Sequence, residues 1–212
     1  MSNSGAAEVP VRRGLLFIVS APSGAGKTSL CLEIRKHVPD LAYSISYTTR
    51  APRLGEVDRR DFFFVSEPIF RQMAGRGEFA EWARVHGNLY GTSAGFLDET
   101  LAQGEDILLD IDTQGARQVR GRYPEGVYVF VVAPSMKELE QRLLERKSDA
   151  PQEIAQRLKR AREEIAAWRE YDYLIVNQDL DGAVQQLQAI VVAERARTNR
   201  LTLTIPDLDE GG

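Results

Sequence analysis

The densest chemistry in the chain lies in Ala21-Pro22-Ser23-Gly24-Ala25-Gly26-Lys27-Thr28, behind the apolar run Leu15-Leu16-Phe17-Ile18-Val19 and ahead of the helix-like Ser29-Leu30-Cys31-Leu32-Glu33-Ile34. An apolar strand, a glycine-rich loop and a helix start are the setting of a phosphate-binding loop. Its backbone N–H groups cradle phosphate oxygens, and the helix N-terminus adds its positive end. Gly24 and Gly26 permit unusual φ angles, Lys27 supplies a point charge, and the Thr28 hydroxyl can hold Mg²⁺. The usual pattern is G-x-x-x-x-G-K-[ST], and this chain has Ala21 at its first position. That change adds a methyl at the loop entrance and spares the glycines nearer Lys27, so normal phosphate binding is expected.

Other charged residues stand where they could serve such a loop. Asp110 and Asp112 close the apolar strand Asp106-Ile107-Leu108-Leu109-Asp110-Ile111-Asp112, from which a carboxylate can reach a Mg²⁺ shell or Lys27. The same pattern also fits a strand-end turn or a helix cap. In Thr48-Thr49-Arg50-Ala51-Pro52-Arg53 a proline holds two arginines apart at a strand end. Guanidinium forks bind phosphate bidentately, although spacing alone fits exposed charge equally well.

These groups need a scaffold, and the hydrophobic pattern supplies one. Residues 14–20 read as a buried strand and the next helix runs to about His37, where Pro39-Asp40 breaks the pattern. From Leu41 to Gly91 the texture turns to β: Leu41 to Thr49 alternates, Phe62-Phe63-Phe64-Val65 is a strand, and Phe79 begins another. Helical spacing appears at Ile69, Phe70 and Met73. This stretch reads as a small insertion, continuous with the main sheet and able to move against it. Strand–helix alternation then returns: helix at 96–101, strand at 106–112, helix at 113–123, and an apolar strand at 127–132 of the kind parallel sheets bury on both faces. Helices follow at 136–145 and 152–169, then a strand at 173–176 and a closing helix from Leu180 to Thr198. The pattern predicts an α/β fold: a P-loop NTPase-type, mostly parallel sheet with helices on both faces, and ligands gathered at the carboxyl ends of the strands.

Composition narrows the partners. The 212 residues carry a net charge of −4, which gives no reason to expect nucleic acid. Arginines crowd into 50–60 and 142–162, which suits a small anionic ligand. A single cysteine, Cys31, precludes an internal disulfide framework and suits a reducing compartment. There is no signal-peptide h-region and no run of the roughly 18–20 apolar residues a membrane span needs. A cytoplasmic protein with no membrane partner is expected, and a homo-oligomer is left open. Residues 1–12 and 199–212 read as tails.

Taken jointly, the loop at 21–28, Ser46 with Thr48 to Glu56, Glu81-Trp82-Ala83, Gly87 to Thr92, Asp110 to Gly115, and Tyr173 to Asn177 resemble the guanylate kinase family along roughly residues 14–195. The resemblance implies a core (14–45, 98–138 and 166–195), a small mixed α/β GMP-binding insertion (46–97) and a helical lid (139–165). It implies Mg²⁺-dependent transfer of the γ-phosphoryl group of ATP to GMP, in guanine nucleotide salvage and recycling. Residues 21–28 with Arg142 and Asn177 would hold ATP, and Thr28 and Asp110 the metal. Ser46, Glu81, Thr92 and Asp112 would read guanine, while Arg50, Arg53 and Tyr90 would hold the GMP phosphate. Lys27, Arg50, Arg146 and Arg157 would neutralise charge during transfer. By composition alone the lid arginines form a solvated helical face. The alternatives are a non-catalytic guanylate-kinase-like binding module, disfavoured by the retained Lys27, Thr28, Arg146 and Arg157, and a kinase for another nucleoside monophosphate, disfavoured by Glu81 with Ser46.

The chain departs from the family pattern at Phe62, where a tyrosine hydroxyl usually bonds the GMP phosphate; Arg59, Arg60 or Tyr47 are expected to compensate in part. Glu145 and Lys147 flank Arg146 where glycines are favoured, which bears on the lid hinge. Leu89 replaces a second tyrosine and reads as packing.

Overall fold

The computed structural model describes residues 12–85, 87–145 and 151–202. In chain order the elements are β1 (Leu16–Ser20), α1 (Lys27–His37), β2 (Leu41–Tyr43), β3 (Tyr47–Thr48), β4 (Phe63–Phe64), α2 (Glu67–Gly75), β5 (Phe79–Val85), β6 (Asn88–Ser93) and α3 (Ala94–Ala102). Then come β7 (Asp106–Asp110), α4 (Thr113–Arg122), β8 (Val127–Val132), α5 (Met136–Glu145), α6 (Pro151–Ile165), β9 (Tyr173–Val176) and α7 (Leu180–Arg195). A tight 3-10 turn at Ala166–Glu170 ends the long helix expected at 152–169, and another at Thr198–Arg200 follows α7.

The apolar runs become a five-stranded parallel sheet in the order β2-β7-β1-β8-β9. Alternation along β1 divides the core. Leu15, Phe17 and Val19 pack with α1 and α7 through Leu30, Ile34, Leu187 and Val191. Leu16 and Ile18 pack on the other face with α3 and α4 through Leu97, Leu101, Ala116 and Val119. Both faces are covered, as an all-parallel sheet requires. The chain leaves central β1 for β2 on one side and later reaches β8 on the other, so the loop after β1 lies at the point where strand order reverses.

Two expectations are corrected here. The alternating run 41–49 is two strands in different sheets, because residues 44–46 hand the chain across: Ser44 N–H still bonds Leu108 O at 3.0 Å, whereas Ser46 O accepts from Phe63 N–H at 2.9 Å. Each half keeps a buried face, so the period-2 pattern runs through the junction unbroken. The insertion is accordingly not continuous with the main sheet. Its strands form a separate sheet, β4-β3-β6-β5, over a small core of Phe70, Phe79 and Leu89.

Arg12, expected in the N-terminal tail, is anchored: its guanidinium donates to both carboxylate oxygens of buried Asp106, which also accepts from Leu15 N–H and Arg195. The remaining tail stretches 1–11 and 203–212 lie outside the described residues.

Candidate active site

The loop between β1 and α1 has the shape its glycines predict. Gly24 and Gly26 take φ of +92° and +90°, values that side chains with a Cβ rarely adopt. Space is short as well: a Cβ on Gly26 would overlap the Asn177 amide nitrogen, and one on Gly24 would stand 3.1 Å from Leu143 of α5. Asn177, just past β9, donates from Nδ2 to Ala25 O at 2.7 Å and so braces the loop from across the sheet. The Ala21 methyl is buried in the main core cluster. Lys27 Nζ sits 2.5 Å from Asp110 Oδ1 and donates to Ile111 O at 2.8 Å, while Thr28 is exposed.

A cavity of about 690 Å³ opens over this loop, lined by Ala21, Pro22, Ser23, Gly24, Gly26, Lys27 and Thr28, with Asp112 and Gln114 beyond. Arg157, Arg160, Glu163 and Glu164 of α6 line its far side, and Arg84 and Val85 of β5 close one end. Burial, reinforced by Asp112, pushes the Glu164 carboxyl up, opposed by Lys27 and by a hydrogen bond from Ser23 N–H. Arg142 is half-buried and turned away, donating to Glu138 and to Asn177 O, each at 3.0 Å; it does not line the cavity. Arg146 lies outside the described residues.

A second cavity of about 360 Å³ shares Lys27, Thr28, Val85 and Asp112 with the first and runs toward the insertion. Its inner wall carries Glu81, 7% exposed, whose Oε1 accepts from the buried Thr92 hydroxyl at 2.6 Å. Burial, aided by repulsion from Asp112, pushes the Glu81 carboxyl up to about 7 against the pull of Thr92 and Lys27. Gly115 makes room for it, since a Cβ there would come within 2.9 Å of Glu81 Oε2. Asp112 caps α4 by accepting from Gly115 N–H at 2.7 Å. Ser44 and Ser46 also line this cavity.

At its outer end stand Tyr90 and Phe62. Arg50 donates to the Tyr90 hydroxyl at 3.2 Å, forms a two-pronged pair with Glu56 at 2.9 Å on each prong, and holds its guanidinium carbon 5.3 Å from the Phe62 ring centre. Arg53 is exposed; its backbone N–H, not its side chain, joins the cluster by bonding Glu56 at 2.7 Å. Arg59, Arg60 and Tyr47 are not among the residues lining this cavity: Tyr47 stacks on Phe63 and Arg60 pairs with Asp61. Leu89 is packing, as expected.

Sequence reasoning missed Glu56 as the partner of Arg50, Asp61 in the acceptor wall, and Glu164 beside the loop. Only the short spacing of Arg50 and Glu56 could have signalled the first.

The family model described as guanylate kinase matches residues 13–194. The chain belongs to the guanylate kinase family. It is 53% identical to the guanylate kinase of Geobacter metallireducens over 196 residues, covering 92% of this chain and 97% of that one. It is 50% identical to that of Geobacter sulfurreducens, at 93% and 97% coverage. The crystal structure of guanylate kinase from Anaplasma phagocytophilum superposes with a TM-score of 0.75 at 31% identity, over 91% of this chain and 92% of that one. Membership in this family fits a site built as two cavities joined at Lys27. Among the described residues no helix is long and apolar enough to cross a membrane.

Proposed function

We propose that this chain transfers the γ-phosphoryl group of ATP to GMP, giving ADP and GDP. The observation that carries the reading is the meeting of the two cavities at Lys27, Thr28 and Asp112, with the buried Glu81–Thr92 pair at the inner end of one. A carboxylate there accepts from both the ring N–H and the exocyclic amine of guanine; adenine offers no adjacent donors on that edge. A binding site that depends on such bonds rejects the wrong base by a factor of up to about 10⁴.

Each residue's part follows from its chemistry. The loop N–H groups of 21–28 bind the donor phosphates, and Asn177 keeps the loop in shape for them. Arg50 and Tyr90 bind the acceptor phosphate, Ser46 and Asp112 assist at the base, and Arg157, with Arg146, closes over the donor from the lid. Residues 46–97 serve as the acceptor arm and 139–165 as the lid, and their approach excludes water as a competing acceptor. No general base is required: the GMP phosphate has a second pKa near about 6 and is largely dianionic at neutral pH. Alignment and charge neutralisation by Lys27 and the arginines then account for catalysis.

The Thr28 hydroxyl and the Asp110 carboxylate are hard oxygen donors beside the loop, a set that suits Mg²⁺, which takes one or two protein oxygens and completes its shell with water and phosphate. When bound, the ion neutralises charge between the donor phosphates. The one cysteine is buried and unpaired, in keeping with a reducing cytoplasm.

A coupled ADP-release assay over GMP, AMP, UMP and dTMP, with Lys27→Ala as control, tests the assignment. GMP is expected to be preferred by orders of magnitude and the control to be inactive. Turnover of AMP above that of GMP overturns it.

A further inference from the structure

The strand that carries Glu81 lies at the outer edge of the insertion sheet, where β5 is paired with β6 on one side. Along an antiparallel edge, every second residue turns its N–H and C=O away from the partner strand. At Trp82 both of these groups are taken by one side chain of the core. Gln118 of α4 accepts from Trp82 N–H through Oε1 and donates to Trp82 O through Nε2, each at 3.2 Å. Its amide stands where the peptide of a further strand would stand.

One turn earlier on the same face of α4, Gly115 leaves the room that the Glu81 carboxylate occupies. Successive turns of one helix thus meet Glu81 and Trp82, consecutive residues of β5. The helix itself is firmly held. Ala116 and Val119 pack in the core, Arg117 donates to both Glu170 carboxylate oxygens at 2.7 and 2.6 Å, and Arg122 donates to Asp98 at 2.6 Å. The bond from Thr92 orients the Glu81 side chain within the insertion, since both residues belong to that sheet. The Gln118 clamp sets their strand against the core, where Asp112 and Lys27 stand.

We infer that Gln118 is a positioning residue for acceptor recognition: by clamping Trp82 to α4 it fixes the place of Glu81 at the guanine edge. The inference rests on GMP being the acceptor. The role needs a donor and an acceptor side by side on one planar group, which an amide supplies. A carboxylate at 118 could accept from Trp82 N–H but would set an oxygen against Trp82 O. Gln118 touches no substrate in this scheme, and its whole effect passes through Glu81.

The test is a double-mutant cycle of Gln118→Ala and Glu81→Gln, read on kcat/KM for GMP, which is measurable below saturation. Alanine keeps the helix, so the free Gln118→Ala protein is expected to fold and to melt within about 2–4 °C of the wild type. Loss of two exposed neutral hydrogen bonds predicts a KM for GMP raised about three- to tenfold, with kcat and the KM for ATP little changed. In the Glu81→Gln background the same change is expected to matter by less than about twofold, because the group it positions is already gone. Gln118→Glu is expected to be no better than Gln118→Ala. An unchanged KM for GMP overturns the inference, as does an equal rise in the KM for ATP, an undiminished effect in the Glu81→Gln background, or wild-type behaviour of Gln118→Glu. Wild-type protein titrated with GMP in parallel separates the two levels: its failure to bind GMP overturns the acceptor assignment itself.

Discussion

Replacing Glu81 by glutamine separates the stability of the free protein from recognition of guanine. Burial raises the Glu81 carboxyl from 4.5 to about 7 in the folded chain, so the neutral form is the one the empty cavity prefers. A raised acid contributes stability that is fully present below the unfolded value and is lost as pH rises through the folded value. With about 1.4 kcal/mol per pKa unit, the difference amounts to roughly 3 kcal/mol, lost between about pH 4.5 and 7. Glu81→Gln keeps a neutral group of similar shape and so escapes this loss. Urea unfolding of both proteins from pH 5 to 8, without nucleotide, is expected to show the variant gaining on the wild type by roughly 2–3 kcal/mol across that range. The same variant is expected to lose most of its preference for GMP over AMP, since an amide cannot accept from both guanine donors. A stability difference that stays flat with pH, or one that favours the wild type at pH 8, refutes the reasoning.

Two further substitutions probe the ends of the site. Gly26→Ala places a methyl at φ +90° and against the Asn177 amide, costing about 1–2 kcal/mol in backbone strain and about 1–3 kcal/mol for the displaced Asn177–Ala25 bond. ATP affinity and the thermal midpoint are expected to fall together; a normal ATP titration counts against the brace. Phe62→Tyr adds a hydroxyl to the wall of the acceptor cavity, beside Tyr90. A bond to a charged phosphate is worth about 1.5–3 kcal/mol, so the KM for GMP is expected to drop at least about tenfold, and an unchanged KM rejects the idea.

The donor half of the site was legible because its chemistry is local. Strand, glycines, Lys27 and helix lie in one unbroken stretch, and sterics leave such a stretch few shapes. Asp110 could be placed beside Lys27 because an apolar strand ending in a carboxylate belongs at the same edge of a parallel sheet. The acceptor half was legible only through resemblance: Glu81, Thr92 and Asp112 come from three elements, and no spacing rule joins them. The hand-over at 44–46 was hidden for a different reason. Alternation reports that a face is buried, not which sheet buries it, so two strands in different sheets read as one. The turn of Arg142 toward Glu138 and the Asn177 carbonyl was equally unreadable, since a helical arginine carries no sequence mark of which way it faces.

The bond from Asn177 to Ala25 spans 152 positions of sequence. During synthesis the whole phosphate loop leaves the ribosome early, yet the side chain that fixes one of its carbonyls arrives only after β9, at the edge of the sheet farthest from β2. Chains are synthesised at about 5–20 residues per second, so the loop waits on the order of ten seconds for its brace. Over that interval the nascent chain carries a complete loop sequence without the contact that holds it in shape. Full competence to hold a nucleotide therefore comes late, with the last strand of the sheet.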